Sequence, residues 1–452
     1  MEILNEITSF IEETRFEHFP PEVVNKAKEG VIDFLGCTLL GTKNDVGKMI
    51  LNHVKRFEAK PETAVLGAGF KTSAPLAALA TGVCSHADDF DDISWSLPGH
   101  PSVTVLPVVM SIGELLNISG KDLLTAYLIG FEVECKLGLA LAPKLYQNGW
   151  HATSVYGCLG AAAAAAKLLK LSREQIRNCM GTAASLASGL RANLGTMTKP
   201  LHVGNCCQNG VTAALLAKEG LTASSEALDG DLGFCKAFAG GVNHDKIIGK
   251  LGSPYDIIDP GILFKLYPSC AETHTALDAT ISLVQQHNIQ PDDVLSVPCI
   301  VTPLNYDVLI YSSPQTALEG KFSLNFCVAI GILKQKASLE EFQDEMVSNP
   351  AIIQLMKKVT MKSDPSLAED GYTGAANIIN INTKDGKEYS LRVDHAKGSP
   401  ENPLSLDKLL DKYRACAGAV LSPPAIDRSI QCLLELEKLD RIDALILLLN
   451  EC

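Results

Sequence analysis

Apolar residues recur at three- and four-residue spacing through most of the first 263 positions. The segments AKEGVIDFLGCTLLG, APLAALATGVCSHADDF, KDLLTAYLIGFEVECKLGLAL and CLGAAAAAAKLLKL all carry this period, with small residues where helices would cross. The spacing predicts helix upon helix from Pro21 to about Leu263. Two helix starts are marked by capping-box patterns, Ser172-Arg173-Glu174-Gln175 and Ser338-Leu339-Glu340-Glu341. After Tyr267 the pattern changes: VLSVPCIVTPL reads as extended, and NIININTKDGKEYSLRV reads as two alternating strands joined at Asp385-Gly386. SPENPLS, from Ser399 to Ser405, reads as a linker, and the tail LDKLLDKYRACAGAVL with SIQCLLELEKLDRIDALILLL returns to helical spacing. The expected fold is therefore mainly α. A large all-helical domain is built from both chain ends, residues 1–265 and 401–452, and a smaller α+β lid domain, residues 266–400, is inserted between them.

Length and charge narrow the function. The chain has 452 residues, beyond the size at which one core usually keeps growing, and its 46% hydrophobic and 20% charged fractions describe a packed globular protein. A net charge of −13 repels phosphate backbones and anionic headgroups, so neither nucleic acid nor a membrane is an expected partner. The 14 cysteines follow no regular framework, no CxxC pair occurs, and the N-terminal text lacks the basic-then-apolar signature of a signal peptide. A cytoplasmic protein with thiols packed as small core residues is expected. The longest apolar run, VYGCLGAAAAAAKLLKL, is broken by two glycines, Lys167 and Lys170, and reads as a buried helix. LGAGFKTS, Leu66 to Ser73, has Phe70 where a phosphate loop needs glycine, so it reads as a glycine-rich turn between elements.

Four segments carry candidate chemistry. In NLGTMTKPLHVGNCCQNGV, Lys199 and His202 stand three residues apart among Gly195, Gly204 and Gly210, which reads as a turn that lets backbone and ammonium approach one small anion. In HADDFDDISWSLPGHPSVTVLPV, Asp88, Asp89, Asp91 and Asp92 invite a metal, but helical geometry would spread them over different faces; a solvated acidic patch is the expectation for three of the four. His100, between Gly99 and Pro101, is held in a restricted direction that suits proton transfer. His151 stands at the mouth of an alanine-rich helix with Thr153 and Ser154 able to cap it, a favourable place for an acidic ligand. KLYPSCAETHTALDA sets Lys265, Cys270, Glu272 and His274 around Pro268, with Cys270 either a reactive thiol or an inert one. Together Lys199, Lys265, His100 and His151 would make a cationic recess for carboxylates.

These segments, in this order, resemble the MmgE/PrpD family: HADDFDD with GHPSVTVLPV, GWHATSVYGCLGAAAAAAKLL, TMTKPLHVGNCCQNGVTAALLA, and KLYPSC with THTALDA. The likeness covers nearly the whole chain. It implies a helical domain with an inserted lid, a homodimer, and catalysis that needs no metal or other cofactor. The implied catalytic positions are Asp89, His100, His151, Lys199 and Lys265; His202, Cys270 and His274 are expected to bind substrate. Tyr306 and Tyr311 are both candidates for the family's lid tyrosine. Decarboxylase members carry a histidine where Cys270 stands and a threonine near Ile93 and Ser94. The implied reaction is that of a lyase on a small di- or tricarboxylate, by dehydration or decarboxylation. The lysines would stabilise a carbanion, the histidines would move protons, and Asp89 would orient a histidine or act as base. The alternatives are an epimerase or isomerase of a dicarboxylate such as iminodisuccinate, and a catalytically silent carboxylate-binding homologue.

Overall fold

Pro21 opens the first long helix, α1 (Pro21–Gly41), at the one place where its missing N–H costs nothing. A computed structural model describes residues 2–368 and 374–451. The chain divides into two units, one of residues 1–193, 198–264 and 405–452, the other of residues 194–197 and 265–404. The first unit is built on α1 and on α2 (Ala74–His86), α3 (Ser102–Leu116), α4 (Gly120–Leu141), α5 (Ala152–Leu168) and α6 (Thr198–Lys218). Helices α2, α3 and α5 are buried almost all round, as their lack of a polar face requires; Ala161 to Ala166 on α5 expose nothing.

Small residues set how closely these helices approach. Gly204 and Gly210, expected to punctuate a turn, lie inside α6. A Cβ on Gly204 would stand 2.5 Å from the Leu79 carbonyl oxygen, and one on Gly82 would stand 3.0 Å from the Gly204 Cα. The glycines therefore serve the crossing of α2 with α6. That crossing brings the end of α2 beside the start of α6.

The larger unit is not all-helical. LGAGFKTS falls in a hairpin of β1 (Thr63–Val65) and β2 (Phe70–Thr72), antiparallel with Val65 opposite Phe70. Its turn carries Gly67 and Gly69 at φ of 70° and 68°. Alternation of half-buried residues over three positions was too short a signal to read as strand.

The second unit holds a four-stranded sheet ordered β4-β3-β5-β6. Strand β3 (Val294–Val301) is central, parallel to β4 (Val359–Ser363) and antiparallel to β5 (Asn377–Thr383), which turns through Gly386 into β6 (Glu388–Val393). Ile379 and Ile381 on β5 are fully buried, the inward half of an alternating strand. Helix α7 (His274–His287) packs against β5, β6 and α8 (Leu324–Lys334). Both capping boxes form, but Ser338 heads only a single 3₁₀ turn, Leu339–Glu341. The chain then returns to the first unit as α9 (Leu406–Ala417), which packs on α1. No helix among the described residues is long and apolar enough to cross a membrane.

Candidate active site

Helix α2 ends at His86, and the chain must reverse at once. Asp89 takes φ 54°, a left-handed conformation that aspartate tolerates better than most residues. Ser94 and Gly99 then close a small loop: the Ser94 N–H donates to the Gly99 carbonyl at 2.9 Å and the reverse bond is 3.3 Å. Ile93 is tied in the same way to Leu263, at 3.0 and 2.9 Å. The result carries His100 back beside residues 86–91 before α3 begins.

Asp91 lies at the centre of what this reversal assembles. Its Oδ1 is 2.9 Å from Nδ1 of His86, and its Oδ2 is 2.8 Å from Nδ1 of His100. Burial would raise its pKa, but the two imidazoles facing it hold it well below the usual carboxylate range. An ionised carboxylate only accepts, so His86 turns an Nδ1–H toward it, while His100 Nδ1 stands against the other oxygen at ion-pair distance. Burial, reinforced by the Lys199 charge, lowers His86 and outweighs the pull of Asp91. His86 therefore stays a neutral donor.

Lys199 is in the first turn of α6, only 6% exposed, and its Nζ is 3.1 Å from Asp89 Oδ1. The same Asp89 oxygen is 3.6 Å from His100 Nε2. One helical turn further on, His202 shares the Lys199 face, and its Nδ1 is 3.2 Å from Nδ1 of His151. His151 precedes α5, its backbone N–H donating to the Gly189 carbonyl at 3.0 Å. Burial, the Lys199 charge and the neighbouring His202 push His151 well below the ordinary imidazole value. Burial takes His202 down to about 4. Both are thus neutral near pH 7, one donating and one accepting across the 3.2 Å contact.

The sequence-based expectations fare unevenly here. Asp89, His100, His151, Lys199 and His202 are brought together. Asp89, Asp91 and Asp92 are buried, so the acidic segment is not a solvated patch; helix α2 stops before it, and the reversal folds it inward. Asp92 accepts from the Ser102 hydroxyl, and burial with Asp33 nearby pushes its pKa well up. Only Asp88 keeps partial access, taking a 2.9 Å bond from Asn44 Nδ2. Thr153 and Ser154 do not cap α5: the Thr153 hydroxyl accepts from the His100 N–H at 3.3 Å, and Ser154 donates to the Ser188 carbonyl at 2.7 Å. His86 was not singled out from sequence, and Asp91 was named only within the acidic run. Their one signal was a histidine ending a buried helix five residues before an aspartate.

Lys265, Cys270 and His274 belong to the second unit. Lys265 is fully buried there. Cys270 is half-buried, with its N–H bonded to the Lys321 carbonyl at 3.0 Å. His274 opens α7 with its Nε2 3.3 Å from the Ser269 carbonyl oxygen and its ring edge-on to Tyr267. Of the two lid-tyrosine candidates, Tyr306 is exposed and Tyr311 donates to the Leu194 carbonyl at 3.0 Å.

His86, Asp89, Asp91 and His100 each offer an atom within 4.8 Å of the others, a composition able to hold a transition metal. The Lys199 ammonium already sits on Asp89, however, and Asp91 already spends both oxygens on imidazoles. The arrangement gathers an ammonium, two carboxylates and four imidazoles in one buried cluster.

The family model of the MmgE/PrpD N-terminal domain matches residues 5–246, and that of the MmgE/PrpD C-terminal domain matches residues 267–437. The chain is similar to cis-aconitate decarboxylase of Homo sapiens, 30% identical over 96% of this chain and 91% of that protein. It is also similar to cis-aconitate decarboxylase of Aspergillus terreus, 26% identical over 99% of this chain and 96% of that protein. The likeness to 2-methylcitrate dehydratase of Cupriavidus necator is 23% over 91% and 89%. With both family models matched in order along most of its length, the chain belongs to the MmgE/PrpD family.

Proposed function

We propose that the protein is a lyase acting on a small tri- or dicarboxylate, by decarboxylation or dehydration, and that the cluster around Asp91 and Lys199 is its proton-transfer centre. The observation that carries this reading is Asp89 Oδ1, which touches both the Lys199 ammonium at 3.1 Å and His100 Nε2 at 3.6 Å. A proton carrier and a cation are thus held within one carboxylate's reach. The names of the relatives supply the substrate class: cis-aconitate and 2-methylcitrate are both tricarboxylates.

The chemistry follows from the charges. When CO2 leaves or a C–H proton is taken, an electron pair remains on a carbon beside a carboxylate, an enolate-like charge that water stabilises poorly. A buried ammonium beside it lowers that barrier. His100, fixed through Nδ1 by Asp91, delivers or removes the proton at Nε2, and neutral His151 with His202 offers a second acid-base group. Asp89 steers the ammonium. Two carboxylates and one ammonium leave this cluster short of positive charge for a polyanion.

The test is a 13C NMR assay of purified protein with cis-aconitate, 2-methylcitrate and iminodisuccinate in heavy water. The expected result is loss of CO2 or water from one of the tricarboxylates, with Lys199→Ala lowering kcat on the order of 10²–10³-fold while its circular dichroism stays that of the parent. Lys199→Ala within a few-fold of the parent sinks the mechanism. Deuterium exchange at carbon without bond cleavage turns the reading into an epimerase, and binding without any chemistry turns it into a carboxylate-binding protein.

A further inference from the structure

Buried charge outside the site comes to a focus at Lys412. This residue lies on α9, 322 positions along the chain from the segment it touches. Its Nζ is 2.7 Å from Asp33 Oδ1 on α1 and donates to the carbonyl oxygen of Phe90 at 2.6 Å. The Phe90 ring lies under the same ammonium, 3.9 Å from nitrogen to ring centroid, a cation–π contact. Burying a lysine this completely is costly unless its N–H donors are matched, and Asp33 Oδ1 takes only one of the three. The Phe90 carbonyl takes a second, which ties the buried charge to residue 90.

Phe90 is the residue between Asp89 and Asp91. Its carbonyl belongs to the peptide that leads into Asp91, and its nitrogen to the one that follows Asp89, whose φ of 54° has to be held in place by its surroundings. We propose that Lys412 is a positioning residue for the proton-transfer centre, pinning the Phe90 peptide so that Asp89 and Asp91 keep their oxygens on Lys199, His86 and His100. It touches none of the reacting groups. In its kinetic arm this inference rests on the carboxylate-lyase reading above.

The test compares Asp33→Asn with the double variant Asp33→Asn/Lys412→Met. The single substitution removes the counter-charge, at a cost in stability, but keeps an amide oxygen for the ammonium and the Phe90 bond; the double variant removes that bond together with the buried charge. The expected result is that Asp33→Asn stays within about 3-fold of the parent in kcat, while the double variant loses on the order of 10²-fold in kcat with KM changed far less, as for a catalytic group misplaced by about 1 Å. Equal kcat in the two variants overturns the proposal, as does failure of either one to fold. If the parent itself consumes no carboxylate, the functional reading fails separately. The positioning claim is then read from the side-chain 15N signals of His86 and His100, expected to move in the double variant and to stay in place in Asp33→Asn; superimposable spectra overturn it.

Discussion

Asp91 and His100 meet at 2.8 Å, carboxylate Oδ2 to ring Nδ1, with His86 holding the other carboxylate oxygen at 2.9 Å. The pair stands at either end of a short loop, and the reversal at Asp89 together with the Ser94–Gly99 closure is what joins them. The consequence is a ring whose position against a carboxylate is set before any substrate arrives. That is the preorganisation proton transfer requires.

Asp91→Asn is therefore expected to keep the fold and lose the chemistry. An amide can present its NH2 to one of the two Nδ1 atoms, forcing that ring into the opposite tautomer. The expected loss is on the order of 10²-fold or more in kcat, the usual range for a misassigned acid-base group. Steady-state kinetics against the substrate found by NMR checks it, with Asp88→Asn, on the accessible neighbour, as the control expected to stay close to the parent.

Acid sensitivity follows from His202. Its folded pKa is lowered from 6.5 to about 4, chiefly by burial, with His86 and Lys199 adding to the effect. Below pH 6.5 the unfolded chain takes up the proton that the folded chain refuses, so stability is lost as pH falls from 6.5 to about 4 and then levels. The shift corresponds to up to about 3 kcal/mol, trimmed by whatever solvent reaches the ring. Replacing His202 with Asn should flatten the melting temperature over this window relative to the parent. Equal slopes for the two proteins would remove His202 from the account.

The parts of this molecule legible in sequence are those with a local cause. Asp385-Gly386 dictates its hairpin because the turn needs a left-handed glycine within two residues of alternating strands, and Gly386 has φ 84°. The helices of the first unit follow from period and small-residue content. Lys199 and His202 were legible as a pair of basic groups but were read onto a turn; both lie in the first turns of α6, where residues three apart share a face. The reading of Gly204 as a turn residue went wrong because glycine alone does not distinguish a bend from a close crossing; the partner helix α2 decides that. The burial of Asp91 and Asp92 was hidden for the same reason. A run of aspartates looks solvated until one knows that His86, His100 and Ser102 surround it. Lys412 had no signal at all, since its partners Asp33 and Phe90 lie 379 and 322 residues away.

The α2–α6 crossing offers the sharpest stability test. A methyl on Gly204 would stand 2.5 Å from the Leu79 carbonyl oxygen and 3.0 Å from Leu79 Cδ1; the side chain can rotate aside, but the carbonyl belongs to helix backbone and cannot. Gly204→Ala must therefore push the two helices apart. Overpacking of this kind costs about 1–3 kcal/mol, against the roughly 1 kcal/mol or less gained by replacing glycine with alanine inside a helix. Because α2 ends in His86 and α6 begins with Thr198 and Lys199, the same displacement is expected to lengthen the Lys199–Asp89 contact and lower kcat along with the melting temperature. Gly220→Ala, just beyond the end of α6 with nothing within 4 Å of the added methyl, separates backbone strain from crowding: its φ of 99° predicts a loss of stability with no loss of turnover. Calorimetry and kinetics on the two variants give the answer, and a Gly204→Ala protein that melts and turns over like the parent would show that the crossing has slack the glycines do not account for.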